Sequence, residues 1–150
     1  MRTESHGDQC ACSATALRKA ARRLSLLYDN ALAPAGLTVT QFALLTEVAR
    51  RRDVAPTVSE LAAAMVMDRS GLTHTLHPLQ RDGFIALAVN GRDARSRHVL
   101  LTTRGKALQQ KAAALWSKAQ RQFTELVGVR EAARLQETLL SIAHDERLGV

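Results

Sequence analysis

Met67-Asp68-Arg69-Ser70-Gly71-Leu72-Thr73-His74-Thr75-Leu76-His77-Pro78-Leu79-Gln80-Arg81-Asp82-Gly83-Phe84-Ile85 is the stretch from which the rest of the chain can be read. Asp68 has the short carboxylate that accepts a hydrogen bond from an orphan N–H at a helix start, and Gly83 tolerates the left-handed turn that closes a helix. One helix is therefore predicted between them. Its apolar residues Leu72, Leu76 and Leu79 recur at intervals of four and three, a narrow stripe facing inward. The opposite face carries Arg69, Ser70, Thr73, His74, His77 and Arg81, short hydrogen-bonding groups with a cation at either end and no acid before Asp82. Pro78 removes an N–H and crowds the carbonyl one turn back, which predicts a kink or a loosened last turn.

The flanks decide what that face is for. Upstream, Thr57-Val58-Ser59-Glu60 has the form of a capping box, so a short helix should run through Leu61-Ala62-Ala63-Ala64 and stop near Met65. Downstream, Phe84-Ile85-Ala86-Leu87-Ala88-Val89 is patterned as a strand, Asn90-Gly91 signals a reverse turn, and Arg97-His98-Val99-Leu100-Leu101 is patterned as a returning strand. The turn region Gly91-Arg92-Asp93-Ala94-Arg95-Ser96-Arg97 is rich in arginine. Two short helices joined by a tight turn and followed by a basic hairpin make a winged helix-turn-helix, over residues 37–102. In that arrangement the second helix enters the major groove of duplex DNA, and the hairpin touches the backbone or the minor groove.

Charge agrees with an anionic partner. The 150 residues carry a net charge of +7, and the pI is near 10.4. From Arg69 to Arg104 six arginines face two acids, so more than half of the excess lies on the proposed reading module. Such a field steers nucleic acid but says nothing about fold. Aromatic residues are only 3% of the chain, so the core must be built from Leu, Ala and Val. No apolar run approaches the roughly 18 residues of a membrane span, and the first residues lack the apolar centre of a signal peptide. A cytoplasmic protein with no membrane partner is expected.

Outside the reading module the chain is helical. Residues 1–12 are polar and read as a flexible arm. From Ser13, Leu17, Ala21, Leu24, Tyr28 and Ala31 recur at four and three, with Arg18, Lys19, Arg22 and Arg23 on the remaining surface, until Pro34 and Gly36 end the helix. Thr38-Val39-Thr40-Gln41 is a second capping box, opening a helix through Phe42, Leu45 and Val48. After the hairpin, Thr102 or Thr103 caps a long helix carrying Leu108, Ala112, Leu115, Ala119, Phe123 and Leu126. Gly128 breaks it, and Ala132, Leu135, Leu139 and Ile142 mark a last helix. These helices, residues 13–36 and 103–147, offer more apolar stripe than one small winged module can cover, which predicts pairing with a second copy. The predicted class is mainly α with a small β-hairpin: one continuous domain in which N- and C-terminal helices form a dimerisation region around the winged helix-turn-helix. Such a homodimer presents its two recognition helices to half-sites one turn of DNA apart, so its operator is palindromic.

Ser59-Glu60-Leu61-Ala62, Asp68-Arg69-Ser70, Asp82-Gly83, Asp93-Ala94-Arg95-Ser96 and Leu101-Thr102-Thr103-Arg104-Gly105 follow one another in order. In this the chain resembles the MarR family of bacterial transcription regulators, from about Ala16 to about Ala143, most specifically in the hairpin pattern that runs into Leu-Thr-x-x-Gly. The resemblance implies a regulator that most often represses, binds its operator as a dimer, and is released by a small aromatic acid or phenol. Relatives hold that effector in a crevice between the dimerisation helices and the winged module. Tyr28, Phe42 and Trp116 are available to it, although aromatics at helical spacing more often belong to a core. The resemblance also places Arg95 at the hairpin tip in the minor groove, with Asp93 holding it by a charge-assisted hydrogen bond. Arg92 and Arg97 are expected at phosphates, while Arg69, Ser70, Thr73, His74 and His77 meet bases or backbone. Where many relatives have Asp-Arg-Arg, this chain has Asp-Ala-Arg, so one family contact is absent or moved to Arg92 or Arg97.

Cys10-Ala11-Cys12 is the most individual feature. Two cysteines one residue apart are not a disulfide framework, and the intervening residue keeps the sulfurs from easy pairing. Oxidation would link subunits or stop at a sulfenic acid; alternatively the pair would hold a soft metal, with His6 as a third ligand. Cys12 precedes a helix N-terminus, where the dipole lowers a thiol pKa. A thiol- or soft-metal-responsive regulator is thus one alternative function. An architectural binder indifferent to DNA sequence is another. There is no nucleophile elbow, phosphate-binding glycine loop or metal-protease helix, and no acid pair whose setting suggests proton transfer, so neither an enzyme nor a cofactor is expected.

Overall fold

In the computed structural model the described residues are 12–149. The expected arm thus lies outside them apart from Cys12. The order is α1 (Ser13–Leu32), a 3-10 turn (Ala33–Ala35), α2 (Val39–Arg50), α3 (Val58–Ala64), α4 (Arg69–Arg81), β1 (Ile85–Asn90), β2 (Asp93–Leu101), α5 (Thr103–Val127), α6 (Val129–Ala143) and a final 3-10 turn (Glu146–Leu148).

Local chemistry sets these boundaries. Thr38 and Thr57 form the two reciprocal capping boxes with Gln41 and Glu60. The Asp68 carboxylate accepts from the Gly71 N–H. Gly36, Gly83 and Gly128 all take positive φ where a helical segment ends, a conformation costly for residues with a Cβ. At the α3–α4 turn the same region is occupied by Val66, at φ 51, where a β-branched side chain stores strain.

The core sits where α2, α3 and α4 meet the hairpin and the first half of α5. Leu32, Leu44, Leu45, Leu61, Leu72 and Val99 are fully buried, and Leu76, Leu79 and Ile85 nearly so. The stripe predicted for α4 is therefore its buried face. Phe42 stacks on Trp116 with ring centroids 6.0 Å apart, and both belong to this core. The N-terminal half of α1, the end of α5 and most of α6 remain open, with Leu17, Leu126, Leu135, Leu140 and Ile142 exposed in the single chain.

Three details differ from the sequence reading. First, α4 continues through Pro78 to Arg81, and its last turn is closed by Asp82 N–H to Pro78 O at 3.0 Å and Phe84 N–H to Leu79 O at 2.9 Å. Pro78 withholds the N–H that His74 O would have received and crowds that carbonyl, both on the side towards the helix start, so the last turn beyond it still forms and is not loosened. Second, β2 starts at Asp93 rather than Arg97: Asn90 pairs with Asp93 and Val89 with Arg97, so the register shifts and the strand carries the extra residues as an irregularity. Third, the hairpin gains a partner. Thr57 bridges His98, Val99 N–H donates to Pro56 O at 2.8 Å, and His98 Nδ1 lies 2.7 Å from Ala55 O. The segment before α3 thereby ties the hairpin to the helix pair.

Among the described residues, no single helix is long and apolar enough to cross a membrane.

Candidate DNA-binding surface

The face of α4 opposite Leu72, Leu76 and Leu79 is open. Arg69, Ser70, Thr73, His74 and His77 are exposed and line one shallow concavity along the helix. The Thr73 hydroxyl donates to Arg69 O at 2.8 Å, so its lone pairs remain as acceptors for an incoming N–H. A mixed row of donors and acceptors on an exposed helix is what base edges in a major groove can pair with.

The hairpin stands beside the start of this helix. A notch is bordered by Arg69 of α4, Ser59 at the start of α3, and Asp93, Arg95, Ser96 and Arg97 of β2. Three arginines and one acid, Asp93, thus border one concave spot, a net basic setting suited to a phosphodiester. The hairpin geometry differs from expectation in one respect. Asp93 Oδ1 accepts from the Arg95 backbone N–H at 2.9 Å, so the carboxylate fixes the backbone under Arg95 rather than its guanidinium. Arg95 and Arg97 stand along β2, while Gly91 and Arg92 form the turn.

The end of α4 has a junction that the sequence reading passed over. Arg81 Nε donates to Asp82 Oδ1 at 3.0 Å, and this bond holds the Asp82 carboxyl below the usual carboxylate range, the field of Arg104 adding to it. Arg104 Nη1 donates to Asp82 O at 3.0 Å, and its guanidinium lies 5.1 Å over the Phe84 ring. The Thr102 hydroxyl donates to Gly83 O at 2.7 Å and accepts from the Gly105 N–H at 3.0 Å. The threonine and glycine of Leu-Thr-x-x-Gly both act on the turn ending α4, and Arg104 stands at one of the positions that the pattern leaves open.

Cys12 is exposed and stands at the N-cap of α1. The Thr15 side chain, then the N–H groups of Thr15 and Ala14, lower its thiol pKa. Cys10 and His6 lie outside the described residues. Of the residues available to an effector, Tyr28 donates to Gln120 Oε1 at 2.6 Å and borders an apolar cavity between α1, α5 and α6 with Leu24, Phe123 and Leu139; partial burial raises its pKa. A separate crevice runs between α1, the start of α2 and α4, lined by Asp29, Thr38, Gln41, Met67, His74 and Pro78 among others.

An exposed polar helix, a tight turn from a capped partner helix and an arginine-bearing hairpin define a winged helix-turn-helix protein of the DNA-binding class. The MarR family model matches residues 35–96. The M. tuberculosis transcriptional regulator MosR, solved in complex with DNA, is 37% identical, with 93% of this chain and 97% of that chain covered and a TM-score of 0.79. CouR, a transcriptional repressor of Rhodococcus jostii solved on a 23-mer duplex, is 26% identical over 88% of this chain and 92% of its own, also at 0.79. The transcriptional activatory protein BadR of Rhodopseudomonas palustris is 32% identical over 96 residues, 60% of this chain. The chain spans about half the length of that curated relative, 52%. It belongs to the MarR family of transcription regulators, and neither the family nor these relatives are enzymes.

Proposed function

We propose that this chain is a cytoplasmic homodimeric repressor that binds a palindromic operator through α4 and the hairpin and is released by a small ligand. The observation that carries the reading is the convergence of Arg69, Arg95 and Arg97 on one notch beside the open face of α4. Ser70, Thr73, His74 and His77 read bases, and the arginines, Arg92 included, neutralise phosphates. The dimer rests on residues 13–36 and 103–147, where Leu17, Leu126, Leu135, Leu140 and Ile142 leave an apolar surface that a second copy would cover. MosR and CouR were both solved on DNA, and CouR is named a repressor where BadR is an activator. CouR also binds p-coumaroyl-CoA. The crevice between α1, α2 and α4 touches the recognition helix at His74 and Pro78, so a small aromatic acid or phenol seated there would meet that helix. A ligand there acts only by its differential affinity for the free and DNA-bound forms. Arg95→Ala tests the reading: operator affinity should fall and the salt slope drop by about one unit with the dimer intact. Unchanged affinity and slope at matched salt would remove the hairpin from the mechanism.

A second reading adds a thiol switch. Cys12 is exposed, its pKa is lowered, and it opens the first dimerisation helix. Mild oxidant should then release the operator from the wild type but not from a Cys10→Ser, Cys12→Ser double variant; release from both would put the effect elsewhere.

A further inference from the structure

The recognition helix is anchored at its C-terminal end by a residue on another element. Arg104, in the first turn of α5, donates to the carbonyl of Asp82, the residue that caps α4. Its guanidinium lies 5.1 Å over the Phe84 ring, and Gly83 leaves room for it: a Cβ there would stand 3.1 Å from Arg104 Nη1. One planar cation therefore holds the carbonyl end of α4 and the first residues after it. A cation at a helix C-terminus also meets the negative end of the dipole. Arg104 belongs to the 25-residue α5, so a shift of α5 reaches α4 at this point.

We infer that Arg104 is a positioning residue for DNA recognition: from α5 it fixes the angle at which α4 is presented, through the Asp82 carbonyl and the Phe84 ring. The inference rests on the DNA-binding reading above and adds to it the residue that couples the dimerisation helix to the reading helix. It is distinct from a phosphate contact. A phosphate-binding arginine contributes to every duplex and to the salt slope, whereas a positioning arginine acts where the fit of α4 to base edges matters.

The test compares Arg104→Ala, Phe84→Leu and the double variant on the duplex from the protein's own upstream region and on a random duplex, across a salt series. Circular dichroism melting shows that each is folded. Arg104→Ala should weaken operator binding about tenfold while leaving random-duplex affinity within about twofold and the salt slope unchanged. Phe84→Leu removes no charge and should reproduce the loss, and the double variant should be little worse than either, since both act through one contact. Arg104→Lys, which keeps the charge but not the planar stack, should recover only part of the affinity. A slope reduced by about one unit, equal losses on both duplexes, full recovery by lysine, additive effects, or unchanged operator affinity would each overturn the inference. Should the wild type show no preference between the duplexes, the DNA-reading proposal itself fails first.

Discussion

Gly105 is the residue whose substitution the structure prices most directly. A Cβ at this position would stand 1.9 Å from Phe84 O and 2.9 Å from Phe84 C, where real contacts begin beyond about 3 Å. The obstacle is backbone, so Gly105→Ala must move the start of α5 away from the α4–β1 turn by more than an ångström. That movement strains or breaks Thr102 N–H to Phe84 O (3.1 Å), the Thr102 hydroxyl to Gly83 O (2.7 Å) and Arg104 to Asp82 O (3.0 Å). At about 0.5–1.5 kcal/mol for each bond, with about 1–3 kcal/mol for overpacking, the loss outweighs the ~1 kcal/mol that alanine gains over glycine in a helix. The net destabilisation is about 1.5–6.5 kcal/mol, which at about 2–4 °C per kcal/mol lowers Tm by about 3–26 °C for a domain of this size. Urea and thermal unfolding at matched protein concentration measure it. A variant within about 0.5 kcal/mol of the wild type would refute the close approach from which the Leu-Thr-x-x-Gly pattern is explained.

Val66→Gly should raise stability by about 0.5–1 kcal/mol in urea unfolding, because glycine relieves the positive φ at an exposed turn while losing some of that gain to unfolded-state entropy. The Cys12 thiol, lowered by Thr15 and the first N–H groups of α1, should be alkylated by iodoacetamide with a midpoint at lower pH in the folded Cys10→Ser protein than in urea. The sign follows because a depressed pKa leaves more thiolate at any pH below it; equal midpoints would contradict the assignment. Leu135→Asp with Ile142→Asp, both exposed in the single chain, should yield a folded monomer in light scattering. A dimer that survives would move the interface off α6.

Much of the fold was legible because its punctuation is local. Thr38, Thr57 and Asp68 cap helices with partners three residues away, and Gly36, Gly83 and Gly128 end helical segments by a backbone conformation that needs no tertiary information. The α4 face was legible for the same reason, since Leu72, Leu76 and Leu79 assign the inside and leave the polar residues outside. The hairpin was misread where local pattern fails. Asp93 to Arg97 is polar apart from Ala94 and looks like a turn, yet it is strand, held by Asn90 pairing with Asp93 and Val89 with Arg97. The bridge from Thr57 to His98 joins distant segments with no marker in either. The last turn of α4 is not loosened by Pro78, because the N–H it lacks concerns one carbonyl, that of His74, and the bonds beyond it form. Arg104 was passed over because its partners are a backbone carbonyl and a ring face, neither of which leaves a trace in residue spacing.

The central claim is that α4 and the hairpin read a specific duplex. The most direct test is the affinity of the wild-type protein for the duplex upstream of its own coding region beside a random duplex of equal length, at one fixed salt concentration near physiological. A preference of about a thousandfold or more is predicted, typical of proteins that read base edges. Equal affinity for the two would contradict the claim and leave a basic protein that holds DNA without reading it.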